Sequence, residues 1–226
     1  MRPFSPPGFP PDVSEVFEAL RQEVSFLHAN WDAFKQLYGS EESVAALNET
    51  APGAFQLIGF LFRREFIMGI CRLTDPKDSK VRGVVMDNLT LKQLRHLVGQ
   101  HCTDAGLLAR LDELEKALES QVALIRDRRN RAIGHLDMQT ALNYHPNPLP
   151  TVNSQQIDEA LRLIAAFMNE VNGHFAAAHA DFVPVVHGPA RNIVHGLRDF
   201  QRLRKVENQR QMAELAEEAR QRAAEG

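Results

Sequence analysis

The sequence predicts an all-α fold, an antiparallel helical bundle with an extended last helix. Three observations predict it. Apolar residues recur at alternating steps of three and four in several long segments, which is helical periodicity. No segment shows a convincing alternation of apolar and polar residues, the mark of a half-buried strand. Prolines fall between the periodic segments rather than inside them.

The segments follow in order. Pro3 to Pro11 holds five prolines and reads as an extended arm over residues 1–11. Asp12 with Glu15 forms a candidate capping box for the first helix. Val13, Phe17, Leu20, Val24, Leu27, Trp31, Phe34 and Tyr38 make one apolar stripe, which ends at Gly39. Ser40 opens a short helical piece through Leu47, broken by Pro52 and Gly53. From Gly53 to about Leu73 the chain is apolar nearly all round, as expected of a buried central helix. Asp75 and Pro76 end it, and residues 77–88 read as a polar loop. Thr90 is placed to cap a helix over Leu91–Gln100. Thr103 is placed to cap the next, whose stripe is Leu107, Leu111, Leu114, Leu118, Val122 and Ile125. Arg129 takes the following core-facing slot, and Gly134 weakens the helix behind it. Residues 141–153, with three prolines, form a loop. A second clean stripe then runs through Ile157, Leu161, Ile164, Met168 and Val171. Val183 to Pro189 reads as a turn. From Ala190 the pattern stays helical but fades, and from Arg198 onward seven basic and six acidic side chains make a solvated helix. The division expected is an arm (1–11), a helical domain (12–182) and a C-terminal helical extension (183–226).

The 226 residues are 44% hydrophobic and 24% charged, which excludes a globally disordered chain. Lys and Arg total 26 against 29 Asp and Glu, a net charge of −3. Nucleic-acid contact must therefore come from a local basic patch. Two cysteines, Cys71 and Cys102, cannot build a disulfide framework. The start MRPFSPPGFPPD lacks the apolar core of a signal peptide, and the apolar run Ala54–Phe62 is too short to span a bilayer. The expectation is a soluble cytoplasmic protein with no membrane contact. His96, His101, Cys102 and Cys71 lack the paired spacing of a zinc site, so no metal and no cofactor are expected.

The segment with chemistry is Arg126-Asp127-Arg128-Arg129-Asn130-Arg131-Ala132-Ile133-Gly134-His135-Leu136-Asp137. Four guanidinium groups make a compact phosphate site, and a histidine titrates near neutrality beside them. Such a set can support attack of an RNA 2′-hydroxyl on the adjacent phosphate. The plain alternative is a basic helix C-terminus favoured by the helix dipole. Arg129 and His135 are six residues apart, about 120° around an ideal helix. A break at Gly134 or a second subunit could bring them together. Arg128 satisfies the spacing as well, and Asn130 after Arg129 favours the latter.

Arg129-Asn130 with His135 resembles the R-x(4–6)-H signature of the HEPN superfamily. The run Arg72-Leu73-Thr74-Asp75-Pro76, then a loop, then Asn88-Leu89-Thr90-Leu91, is similar to the abortive-infection, AbiU-type branch. The closing His135-Leu136-Asp137 is similar too. The resemblance covers roughly residues 12–180. It implies a homodimeric, metal-independent endoribonuclease with a composite site at the dimer interface, in phage defence or a toxin–antitoxin pair. Arg129, Asn130 and His135 would then be catalytic. Arg126, Arg128, Arg131, Arg72, Asp75 and Glu65 would bind RNA or line the site. Arg72 and Asp75 read equally as a helix end with a turn-forming Asp-Pro, and Glu65, in a helix expected to be buried, is expected to pair with an arginine of the signature. RNA and a neutralising antitoxin are the partners implied. The competing readings are a non-catalytic module whose arginine cluster holds RNA, a nucleotide or a partner protein, and a helical scaffold whose last helix, from Ala190, docks another protein.

Overall fold

The structure is a computed structural model, described here over residues 8–134, 137–142, 144–182 and 189–225. Eight α-helices carry it: α1 (Pro11–Tyr38), α2 (Glu41–Thr50), α3 (Pro52–Thr74), α4 (Leu91–His101), α5 (Ala105–Arg129), α6 (Met138–Ala141), α7 (Ser154–Ala176) and α8 (Pro189–Glu225). A π-helical turn, Asn130–Gly134, continues α5. A two-stranded antiparallel hairpin, β1 (Asp78–Val81) and β2 (Val84–Asp87), lies between α3 and α4. The all-α class holds, and none of the described helices is long and apolar enough to cross a membrane.

The chain forms two compact units. The first comprises Met1–Trp31 and Leu61–Val185, the second Asp32–Phe60 and Val186–Gly226. In the first unit, the predicted stripes of α1, α5 and α7 meet in the core. Val13, Phe17, Leu20 and Val24 are buried, as are Leu107, Leu111, Val122 and Ile125 of α5 and Leu161, Ile164 and Met168 of α7. Each such side chain contributes about 1.5–3 kcal/mol by leaving water. Trp31 packs edge-on against Phe66 with ring centroids 4.9 Å apart, and its indole Nε1 donates to Asp158 Oδ1 at 2.6 Å. Polar pairs fix neighbouring helices at their rims. Arg95 of α4 donates to both oxygens of Asp112 on α5, and Arg110 of α5 pairs with Glu170 of α7 at 2.7 Å.

In the second unit, α2 packs on α8. Gln201 donates to Ala46 O and Thr50 Oγ1, each at 2.8 Å, and Arg198 pairs with Glu42 at 2.9 Å. Tyr38 Oη donates to Phe55 O at 2.6 Å. Beyond Leu203 the α8 side chains that are described are exposed, as the faded pattern predicts.

Several boundaries differ from the sequence expectation. Pro11 takes the first helical position of α1, where its missing N–H costs nothing. Asp12 therefore lies inside the first turn and binds His101 Nε2 at 2.9 Å instead of capping. Asp104, not Thr103, caps α5, accepting from Gly106 N and Leu107 N. Ser40 and Thr90 do cap their helices. Residues 77–88 hold the hairpin rather than an irregular loop. Arg82 and Gly83 both have positive φ, the backbone of a tight two-residue turn. Both strands are almost wholly exposed, so no buried face imposes the alternation that would have marked them. The central helix α3 is buried mainly in its C-terminal half. Leu57, Phe60 and Leu61 are more than half exposed. Of the arm, Phe9 is buried between Phe17 and Phe175, and residues 1–7 lie outside the described residues. So does most of the expected turn at 183–189.

Candidate functional site

The site assembles where the C-terminal ends of α3 and α5 meet. The last turn of α5 carries Arg126, Arg128 and Arg129, cations at the negative end of the helix dipole. Thr74 ends α3 and Asp75 follows it. Thr74 Oγ1 donates back to Ile70 O at 2.8 Å. Arg126 Nη2 donates to Thr74 O at 2.9 Å and to Thr74 Oγ1 at 3.2 Å. Asp75 receives Arg129 Nη1 at 2.5 Å, with Arg126 Nε 3.6 Å from its other oxygen. Arg129 Nε donates to Asn130 Oδ1 at 3.0 Å. Arg129 is thus held from two sides, using two of the five donors of a guanidinium group.

The core-facing slot of Arg129 is explained inside the chain. Its side chain is 20% exposed and that of Asp75 26%. A charge so placed requires a partner, and Asp75 supplies it across 54 residues of sequence. Cys71, one helical turn before Asp75, is fully buried. Burial pushes its thiol up from 9.0 to about 11; Arg129 and Arg126 pull it down, and Asp75 pushes it further up.

The remaining arginines are directed elsewhere. Arg128 Nη1 donates to Pro150 O at 2.7 Å, tying the helix to the loop before α7. Arg131 reaches Asp127 at 3.2 Å, Thr140 Oγ1 at 3.1 Å and Asn147 O at 2.8 Å. Arg72 pairs with Glu65 at 2.9 Å on its own helix. Glu65 is 38% exposed in its side chain, so it is neither a buried carboxylate nor the partner of a signature arginine. The expectation fails because the two residues are seven apart, two turns of one helical face. Arg72 and Asp75 do share an open groove of about 550 Å³, lined also by Glu23, Ser79, Asn88 and Thr90.

His135 lies outside the described residues, as does Leu136. What precedes it in the chain is the π turn Asn130–Gly134. Asp137 follows, capping α6 by accepting from Thr140 N at 2.8 Å and Thr140 Oγ1 at 2.6 Å. The hydroxyl of Thr140, then its backbone N–H, holds the Asp137 carboxyl below its ordinary range.

Sequence reasoning overlooked Thr74, Asp127 and Thr140. Asp127 was visible as the i−4 partner of Arg131. Thr74 stood inside the Arg72–Pro76 run without a role, and nothing local pointed Thr140 at an arginine. Among the described residues no group of three His, Cys, Asp or Glu side chains is placed to hold a metal.

The family model described as AbiU2, of the HEPN type, matches residues 11–195. The match takes in the α3 and α5 ends, the π turn and the segment after it. No curated protein and no solved structure matches the chain. A match of that extent, over a helical chain with this arginine site, makes the protein a member of the AbiU2 family, an abortive-infection HEPN-like protein.

Proposed function

We propose that this chain is an endoribonuclease acting on RNA without metal or cofactor, as a homodimer, in abortive infection or as the toxin of a toxin–antitoxin pair. One observation carries the reading. Arg129 is clamped between Asp75 and Asn130 at the entry to the π turn that leads to His135. A guanidinium group held on two sides keeps donors for a phosphate oxygen, and its orientation is set before RNA arrives. In the reaction, the 2′-oxygen of RNA bonds to the adjacent phosphorus as its proton leaves to a base. The bond to the 5′-oxygen breaks, and that oxygen takes a proton. His135 manages the protons, and Arg129 stabilises charge on the non-bridging oxygens. The products are a 2′,3′-cyclic phosphate and a 5′-hydroxyl. Asn130 positions Arg129 through Nε, and Asp75 does so through Nη1.

A second reading has its own support. Arg126, Arg128, Arg129 and Arg131 each already donate to an acceptor of this chain. A cluster so engaged suits a non-catalytic module whose arginines staple the bundle.

The test is incubation of the full chain with mixed RNA in excess EDTA, beside His135→Ala and Arg129→Ala. Cleavage by the wild type alone, with cyclic-phosphate ends, supports the nuclease. Cleavage by His135→Ala at the wild-type rate removes His135 from the mechanism. Salt-sensitive RNA binding without product from any of the three supports the module.

A further inference from the structure

A second cluster lies away from the arginine site, where the α4–α5 corner meets the end of α7. Cys102 Sγ is 3.3 Å from His174 Nε2. The other ring nitrogen, Nδ1, is 3.8 Å from Asp104 Oδ2, an electrostatic contact rather than a hydrogen bond. The backbone N–H of Asp104 also donates to the Cys102 sulfur at 3.4 Å. Asp104 caps α5, so the sulfur sits beside the positive end of a 25-residue helix. Other charged groups stand nearby in pairs: His101 with Asp12, and Arg110 with Glu170. His174 packs edge-on against Phe175, ring centroids 4.8 Å apart, which restricts its rotation. Both cysteines are free thiols and both are buried, but they differ in their neighbours. Cys71 is wholly buried and its neutral form is favoured, whereas Cys102 is 8% exposed and faces a base.

We propose that Cys102, with His174 as its base and Asp104 orienting that base, is a reactive thiol that small hydroperoxides oxidise to a sulfenic acid. With Nδ1 protonated toward Asp104, Nε2 takes the thiol proton. The thiolate sulfur then attacks the terminal peroxide oxygen. An S–O bond forms and the O–O bond breaks, and the leaving oxygen takes the proton from His174. Sulfur is oxidised, and the hydroperoxide is reduced to water or an alcohol. A small peroxide is the oxidant suited to a thiol so little exposed.

The experiment treats the native full chain with hydrogen peroxide and dimedone, and reads each cysteine by peptide mass spectrometry. Dimedone label is expected on Cys102 and not on Cys71. His174→Gln is expected to slow Cys102 labelling by about tenfold or more. Equal labelling of the two cysteines, or an unchanged rate in His174→Gln, overturns the proposal. So does a native Cys102 that labels no faster than in the urea-unfolded chain. If circular dichroism shows that His174→Gln does not fold, Asp104→Asn, which retains a capping oxygen, takes its place. A fall of about threefold is then expected, and an unchanged rate overturns the assignment.

Discussion

At the scale of residues, the protein places charge where a bundle core would ordinarily exclude it. Arg129 continues an apolar stripe, and Asp75 compensates it. Such a pair is a poor source of net stability, because both groups give up water to form it. Its effect is geometric, since it fixes one guanidinium against α3. Cys71 lies in the same environment and reports on it. Its folded-state pKa, about 11, is above the ordinary 9.0. The stability contributed by the neutral thiol is therefore fully present below pH 9 and is lost as pH rises through about 11. Urea unfolding of the wild type should lose about 2–3 kcal/mol more than Cys71→Ala between pH 8 and pH 11.5. Parallel pH curves for the two proteins would show that burial does not hold the thiol neutral.

At the scale of elements, the informative feature is the π turn that follows α5. Asn130–Gly134 is spent in a wider turn just before the histidine of the signature. Such turns recur at functional sites because they re-aim side chains without ending the helix. Gly134 is not required there by space. Among the described residues a Cβ would meet Arg129 O at 3.5 Å and Arg129 Cγ at 3.9 Å, ordinary contacts. Gly134→Ala should therefore raise stability by about 0.5–1 kcal/mol in chemical denaturation, by reducing backbone freedom in the unfolded chain. A loss of similar size would show that the turn depends on glycine's freedom. The hairpin makes the complementary point, because Arg82 and Gly83 turn a ribbon that no core side chain demands.

At the scale of the whole molecule, two compact units share the chain, and the family match covers residues 11–195. The remainder of α8 lies beyond that match. Removing residues 205–226 takes away described side chains that are all exposed. The melting temperature should then stay within about 2 °C of the full chain, since exposed substitutions and deletions cost little. A larger drop in a thermal scan would mean that the tail supports the bundle. If the tail docks a partner protein, the same truncation abolishes that binding and leaves RNA cleavage unchanged.

The sequence by itself determined the class, the stripes and most helix starts. Those depend on near neighbours: a stripe is a spacing of three and four, and a cap is a side chain two or three residues from its donor. Ser40, Thr90 and the core positions of α1, α5 and α7 were legible for that reason. The candidate site was legible as a composition, four arginines and a histidine, and as a likeness to HEPN proteins. Its wiring was not. Asp75 meets Arg129 over 54 residues, Arg126 meets Thr74 over 52, and Cys102 meets His174 over 72. Only the packing of α3 on α5, and of the α4–α5 corner on α7, brings those atoms within bonding distance. Local spacing carries no information about which distant side chain fills a partner's last donor. The tertiary structure decides that, because a charge or thiol removed from water takes whichever partner the packed helices put beside it.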